Sequence, residues 1–374
     1  ATQEQADAAA KAICKVVYDN AEKLGPMAAE ESRMGSEQDK IAKCRNKSAL
    51  IWESLKGKKS CDIINRIEER RMIEVAKPVG VVASIIPSTN PVVTPMSNGA
   101  FALKCRNSVI FAPHPRAVKC TKLLVEMFRA ELKKLGLPED LVLGLEEVSN
   151  DLTSELMSAA DMVVATGGMG MVKAAYSSGK PAIGVGQGNV QCIIDEDADI
   201  ADAVGKIIIG RAFDNGLICL GEQTVFVPED KEAEFVAEMK KQGGYLVEGE
   251  ENVDKLREGL FPGGGAFSRV VVGMFADQVS DEIGLGAPKG TRVLFAKAKA
   301  LGAGDVLCRE KLCPVIAYMT YKTFKEGVAM MEANLDHEGK GHSIAVHSNT
   351  PENVEYAAIR CCVSRVVVNQ PSGT

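Results

Sequence analysis

The chain lacks any apolar run near the roughly 18 residues a membrane-spanning helix needs, so no membrane partner is expected. It lacks a basic run or a basic face interleaved with aromatics. With a formal net charge of −6 and a pI of about 5.5, nucleic acid is not an expected partner either. It lacks CxxC: the 11 cysteines are odd in number and scattered, and Cys361 and Cys362 are adjacent, so neither a zinc cluster nor another metal site is expected. Free thiols among apolar residues suit a reducing cytoplasmic location. The start, "ATQEQADAAAKAICKVV", lacks the basic-then-apolar order of a secretory signal and lacks an initiator Met. The end, "VVVNQPSGT", stops just after a strand-like run, so the sequence predicts residues missing at both ends. Internal repeats and low-complexity tracts are also absent.

What is present is a chain of 374 residues, 46% hydrophobic and 25% charged, ordinary for a globular protein of two lobes. Residues 3–34 have helical spacing and predict one or two helices. From residue 72 onward short apolar strands alternate with helices: two strands about Pro78–Gly80, a helix in "MSNGAFALKC", the strand "NSVIFAP", the helix 116–136 closed by Gly136, and on to "PAIGVG". That alternation predicts a parallel sheet covered on both faces over about 72–186. A second α/β lobe follows, with strands expected at "VQCIID", "QTVFVP", "RVVVGMF", "TRVLFAK", "VIAYMTY", "HSIAVHS" and "RVVVN". The Gly-rich "GVGQGN" (184–189) marks the boundary.

Six stretches could carry chemistry. In "VVATGGMGMVKAA" (163–175) an apolar strand runs through Thr-Gly-Gly into a helix, which suits a phosphate at the helix N-terminus. The spacing is not GxGxxG and no acid follows at the dinucleotide distance, so a bare βα turn is equally open. In "FAPHPRA" (111–117), Arg116 is either a phosphate clamp or a solvated helix residue. In "IIPSTNPVVTP" (85–95), Asn90 is either an oxyanion donor or the head of an Asx turn. In "AFDNGLICLGEQTVFVP" (212–228), Cys219 sits in a Gly-flanked loop before a strand. A cysteine is first a small buried hydrophobe, but such a loop can expose and activate a thiol. His342 in "EGKGHSIAVHS" is a proton shuttle or a hydrogen-bonded structural residue, and Glu310 in "CREKLCPVIA" holds a ribose hydroxyl or is simply exposed.

Taken in order, the Asn loop, "PHPRA", "ATGGMGMVKAAYSSGKPAIGVGQGNV", "FDNGLICLGEQ", "KLCPV", "EGKGHS" and "SRVVVNQPS" cover nearly the whole chain. This series resembles the CoA-acylating aldehyde dehydrogenases, a branch of the aldehyde dehydrogenase superfamily. The resemblance is closest to CoA-acylating succinate-semialdehyde dehydrogenases, with sulfoacetaldehyde-acylating enzymes next. It implies two doubly wound α/β lobes with the active site in the cleft between them. Residues 1–186 would be the nicotinamide-binding domain with N-terminal helices, and 187–374 the catalytic thiol domain, truncated at its C-terminus. It implies that Cys219 is the nucleophile, that Asn90 and the Cys219 N–H form the oxyanion hole, and that His342 lies near the thiol. Thr166, Gly167 and Gly168 would receive the pyrophosphate, and His114, Pro115 and Arg116 the adenosine ribose. Glu310 would take the nicotinamide ribose, with Pro87, Ser88, Thr89, Val185 and Gly186 completing the cofactor site. The implied reaction is aldehyde + CoA + NAD(P)+ ⇌ acyl-CoA + NAD(P)H + H+, with succinate semialdehyde as first substrate and sulfoacetaldehyde or acetaldehyde as alternatives. Arg116 favours NADP over NAD, and a homodimer or larger assembly is expected.

Hydrolytic members carry a Glu in an "ELGG" segment, where this chain has "GVGQGNV" with no carboxylate. Water would lack its base there, so a thiol acceptor fits, and thioester exchange runs both ways. Two other classes stay open: a silent nucleotide-binding scaffold, and a glutamyl-phosphate reductase-type enzyme taking an acyl phosphate. The acyl tail stays open too, since Arg365 could meet an anionic tail, but an Arg is also found there in relatives that take acetaldehyde.

Overall fold

The computed structural model describes residues 1–373 and divides into two compact units, Ala1–Gly186 and a second beginning at Gln187. The first opens with three helices, α1 (Gln3–Asp19), α2 (Ala21–Ser32) and α3 (Glu37–Leu55). A capping box between Thr2 and Gln5 starts α1, and the Ser36 hydroxyl caps α3. An antiparallel hairpin follows, β1 (Asp62–Ile67) with β2 (Met72–Ala76). Then β3 (Val81–Ile85), α4 (Val93–Lys104), β4 (Ser108–Ala112), α5 (Val118–Lys134), β5 (Val142–Gly144), α6 (Asn150–Ala159), β6 (Met162–Thr166), α7 (Met169–Tyr176) and β7 (Ala182–Val185) alternate. The five strands β3 to β7 are parallel in the order β5-β4-β3-β6-β7. Strand side chains alternate between faces. Val82, Val109 and Phe111 pack into one core with α1 to α5, while Ala83, Ala112 and Val163 pack into another with α6 and α7.

The second unit is a seven-stranded, wholly parallel sheet in the order β10-β11-β12-β9-β8-β13-β14. In chain order its elements are β8 (Val190–Ile194), α8 (Ile200–Ala212), β9 (Glu222–Pro228), α9 (Glu232–Lys241), β10 (Gly244–Leu246), α10 (Glu250–Leu260), α11 (Ala276–Ile283), β11 (Val293–Lys297), β12 (Val315–Tyr321), α12 (Phe324–His337), β13 (Ser343–His347), α13 (Pro351–Arg360) and β14 (Arg365–Val368). Cys192 and Ile194 face a core with α8 and α9, and Ile193 between them faces α12 and α13. No helix among the described residues is long and apolar enough to cross a membrane.

One expected strand is absent. "RVVVGMF" is a loop in which Val271 is buried, Val270 is exposed and Gly273 has φ 68°. Its backbone does other work: Gly273 N–H donates to the Leu312 carbonyl (2.8 Å) and its carbonyl accepts from Asn215 Nδ2 (2.9 Å). Helix α3 was not expected: its apolar residues Ile41, Cys44, Ile51, Trp52 and Leu55 do reach the core, but buried Lys40, Lys43 and Ser48 interrupt the stripe.

Candidate active site

In the first unit the chain runs from β3 outward to β5, then crosses back to β6 on the other side of β3. Ligands of open α/β sheets bind at the carboxyl ends beside such a switch point. The expected cofactor residues all fall at these ends: Pro87, Ser88, Thr89 and Asn90 after β3, His114, Pro115 and Arg116 after β4, Thr166, Gly167 and Gly168 at β6, Val185 and Gly186 at β7.

Gly168 is the N-cap of α7 and supplies no side-chain cap. A Cβ on Gly168 or Gly170 would meet nothing within 4 Å, and one on Gly167 would meet only the Met171 side chain at 3.6 Å. None of the three has positive φ. The fold does not require glycine here. Bare α-carbons leave an open approach to a helix N-terminus, which fits the pyrophosphate of a dinucleotide.

At α5 the helix N-terminus is already occupied. Its N-cap, Ala117, offers no side chain, and Glu31 from α2 accepts from the backbone N–H groups of Lys119 (2.7 Å) and Cys120 (2.8 Å). Arg116 is exposed, and its guanidinium has no partner among the described residues. Its backbone N–H donates to His114 Nδ1 at 3.1 Å, so a neutral His114 carries its proton on Nε2. Burial, and then the Arg116 charge, hold His114 below its ordinary pKa.

Asn90 is half-buried, and its carbonyl accepts from Thr94 N–H (3.2 Å) where α4 begins. Its side chain forms no Asx turn. Oδ1 accepts instead from Lys43 Nζ of α3 at 2.9 Å, and Nδ2 has no hydrogen-bond partner among the described residues.

The second unit gathers its residues at the opposite, amino ends of its strands. Cys219 precedes β9, Glu310 precedes β12, His342 precedes β13, and Arg365 opens β14. Eight cysteines are buried, and burial pushes Cys14, Cys120, Cys313 and Cys361 up to about 12, so they are inert thiols. Cys219 is half-buried, neither sealed nor free. Its loop begins with three successive left-handed residues, Asp214 (φ 50°), Asn215 (φ 53°) and Gly216 (φ 71°). Gly216 must be glycine, since a Cβ would lie 2.6 Å from the Cys313 carbonyl carbon and oxygen.

Gly188 joins the site together. A Cβ on it would lie 2.2 Å from the Cys219 carbonyl oxygen and 3.0 Å from His342 Nε2. Its N–H donates to Glu310 Oε1 at 2.9 Å. Glu310 is therefore buried and bonded rather than simply exposed, and burial raises its carboxyl to about 7. His342 is held below its ordinary pKa by burial and then by Arg365, and its buried Nδ1 has no hydrogen-bond partner among the described residues. A neutral imidazole without a structural tie there can accept a proton. Burial lowers Arg365, while nearby Cys219 acts in the other direction. The Arg365 guanidinium also donates to the Ser372 carbonyl at 2.8 Å.

A buried polar layer lies beside the Cys219 loop, where a Cβ on Gly221 would stand 3.3 Å from Arg211 Nη1, and no local sequence pattern reveals it. Arg211, fully buried at the end of α8, donates to the carbonyls of Lys311 and Cys313. Lys311 Nζ donates to the carbonyls of Leu307 (2.6 Å) and Arg309 (2.8 Å), and Gln223 brackets the Lys311 peptide. Glu222, three residues past Cys219, accepts from Ser372 N–H at 3.0 Å, and burial raises it to about 7. The signal was present as charged residues inside apolar segments ("IIIGRAF", "GEQTVFV"), but sequence cannot show what they hold.

The model of the aldehyde dehydrogenase family matches residues 10–255. The chain belongs to the aldehyde dehydrogenase family. It is 48% identical over 373 residues to an acetylating succinate-semialdehyde dehydrogenase of Clostridium kluyveri, covering 100% of this chain and 82% of that one. It superimposes on the crystal structure of an acetylating aldehyde dehydrogenase from Geobacillus thermoglucosidasius with a TM-score of 0.95 at 36% identity, over 100% of this chain and 82% of the other. A propionaldehyde dehydrogenase of Rhodopseudomonas palustris, solved with bound CoA and an acylated cysteine, aligns with a TM-score of 0.87 at 28% identity, over 100% of this chain and 84% of that one. Family members are oxidoreductases acting on aldehydes, and these relatives belong to its acylating branch.

Proposed function

We propose that the chain is a CoA-acylating aldehyde dehydrogenase using succinate semialdehyde and succinyl-CoA. The observation that carries this is the half-buried Cys219, bracketed with His342 about Gly188, among eight sealed thiols. The Cys219 thiolate attacks the aldehyde carbon, and Asn90 Nδ2 with the Cys219 N–H receives the oxyanion. A bound oxidised nicotinamide would supply the hydride acceptor, and loss of hydride from that carbon would leave a thioester on Cys219. His342, neutral at pH 7, takes the proton of the CoA thiol. The CoA sulfur then attacks the thioester and Cys219 leaves as thiolate.

The dinucleotide would be held by Gly167 and Gly168 at its pyrophosphate, by His114 and Arg116 at the adenosine ribose, and by Glu310 at the nicotinamide ribose. Pro87, Ser88, Thr89, Val185 and Gly186 line the remaining strand ends. Two features support NADP: the exposed Arg116, and Glu31, which leaves the α5 amides unavailable so that a 2′-phosphate relies on Arg116. The β1–β2 hairpin exposes Met72, Ile73 and Val75, and a lone two-stranded ribbon is marginal in water. We therefore infer a homo-oligomer that covers it, in a reducing, cytoplasmic compartment.

Cys219→Ala is expected to abolish CoA-dependent NAD(P)H formation while cofactor binding, followed by fluorescence, persists. Full turnover in that variant overturns the assignment. A panel of succinyl-, sulfoacetyl- and acetyl-CoA with each nicotinamide tests the tail, and a higher kcat/KM with sulfoacetyl- or acetyl-CoA replaces the succinyl choice.

A further inference from the structure

We infer that Lys43 is a positioning residue for the reaction: its ammonium fixes the Asn90 amide with Oδ1 against Lys43, which leaves Nδ2 as the donor that the proposed oxyanion role needs. The inference rests on the proposal that Asn90 is the oxyanion donor. An asparagine amide has an accepting oxygen and a donating nitrogen that are close to interchangeable in shape. Nothing in the backbone decides which of them faces the substrate. An ammonium removes the ambiguity, because it has three donors and no acceptor. Lys43 Nζ lies 2.9 Å from the Asn90 side chain, so the atom facing it is Oδ1 and the atom turned away is Nδ2. That nitrogen has no hydrogen-bond partner among the described residues, so its donor capacity is unspent.

The surroundings make the arrangement rigid. Lys43 is 5% exposed, an unusual placement for a lysine. Lys43, Thr89, Asn90 and Val92 line one recess between α3 and the Asn90 loop. The loop itself is pinned, since the Asn90 carbonyl begins α4. A cation on the carbonyl oxygen also polarises the amide and strengthens its N–H as a donor. Lys43 is thus assigned a role through Asn90, whose oxygen it holds.

The test is a double-mutant cycle in the full chain, read by stopped-flow NAD(P)H formation. Asn90→Ala is expected to lower kcat by about 10²- to 10³-fold, the range for loss of one oxyanion donor. Lys43→Met is expected to lower kcat by roughly 10- to 100-fold, less than donor removal, with KM for aldehyde and CoA nearly unchanged. The iodoacetamide alkylation rate of Cys219, which develops no oxyanion, stays at the wild-type value. In the Asn90→Ala background, Lys43→Met has no further effect. If Asn90→Ala keeps wild-type kcat, the oxyanion role fails, and this inference with it. If Asn90→Ala is impaired but Lys43→Met is not, or if Lys43→Met costs the same factor in both backgrounds, the inference alone is overturned. Should Lys43→Met not fold, Lys43→Arg, a donor-only replacement, is expected to keep more kcat than Lys43→Gln, which can also accept; the reverse order overturns the inference.

Discussion

Gly188→Ala adds one methyl group between the thiol loop, the imidazole and the buried acid. Gly188 has no positive φ, so alanine meets no backbone strain and the whole effect is steric. The added carbon would stand 2.2 Å from the Cys219 carbonyl oxygen, whereas ordinary contact begins at 3.4 Å. One side must retreat by about 1 Å, and the obstacle is main chain, which cannot swing aside as a side chain does. The second contact, His342 Nε2 at 3.0 Å, yields more readily. Overpacking of this size costs about 1–3 kcal/mol of stability, and an ångström of misplacement at a reacting centre costs on the order of 10²-fold in rate. The Gly188 N–H bond to Glu310 moves with the same backbone, so cofactor affinity should fall alongside kcat. Stopped-flow NAD(P)H bursts measure the first effect, cofactor titration the second and urea unfolding the third. A Gly188→Ala enzyme with wild-type burst rate and stability would refute the claim that this α-carbon spaces the thiol loop.

Gly168→Ala and Gly170→Ala form a contrasting pair. Both sites are open, so neither should lower the melting temperature, and Gly170→Ala inside α7 should add about 0.5–1 kcal/mol. Gly168→Ala should still weaken cofactor binding by about tenfold or more, since its methyl group fills the approach to the helix N-terminus, and an unchanged dissociation constant removes the pyrophosphate assignment. The buried acids predict a pH dependence of stability. Glu222 and Glu310 are raised from 4.5 to about 7, so the folded chain holds more protons than the unfolded one across that window, and their contribution is lost as pH rises through it. Lys311, lowered from 10.5 to about 7, works the other way: its penalty eases as pH climbs from about 7 to 10.5. Glu222→Gln should flatten the decline between pH 4.5 and 7 in urea-unfolding free energies, and an unaltered slope assigns the decline elsewhere.

Much of the scaffold was legible because its strands are short, apolar and bounded by Gly or Pro. Cys219 and His342 were legible for a related reason: each stands in a Gly-containing turn feeding an apolar strand, a pattern that brings a polar side chain to a sheet edge. Other parts were not. The "RVVVGMF" segment has a strand's composition, but its carbonyl is drawn off by Asn215, a contact 58 residues away. Lys43 and Asn90 are 47 residues apart, and Gly188 and Glu310 are 122 apart. No local period encodes such meetings. The roles of buried Arg211 and Lys311 were not legible, because sequence spacing does not reveal which carbonyls a long side chain reaches.

The occupied start of α5 also bears on how the protein can be cut down. Glu31 belongs to the second helix, yet it closes the amide end of a helix flanking the proposed dinucleotide face, and the α5 N-cap, Ala117, has no side chain to take over that task. A minimal nucleotide module engineered to begin at β3 would keep every strand of the five-stranded sheet but leave those amides bare, and loose anions in the buffer would compete for them. The leading helical hairpin should be retained in any fragment meant to discriminate between phosphorylated and unphosphorylated ribose.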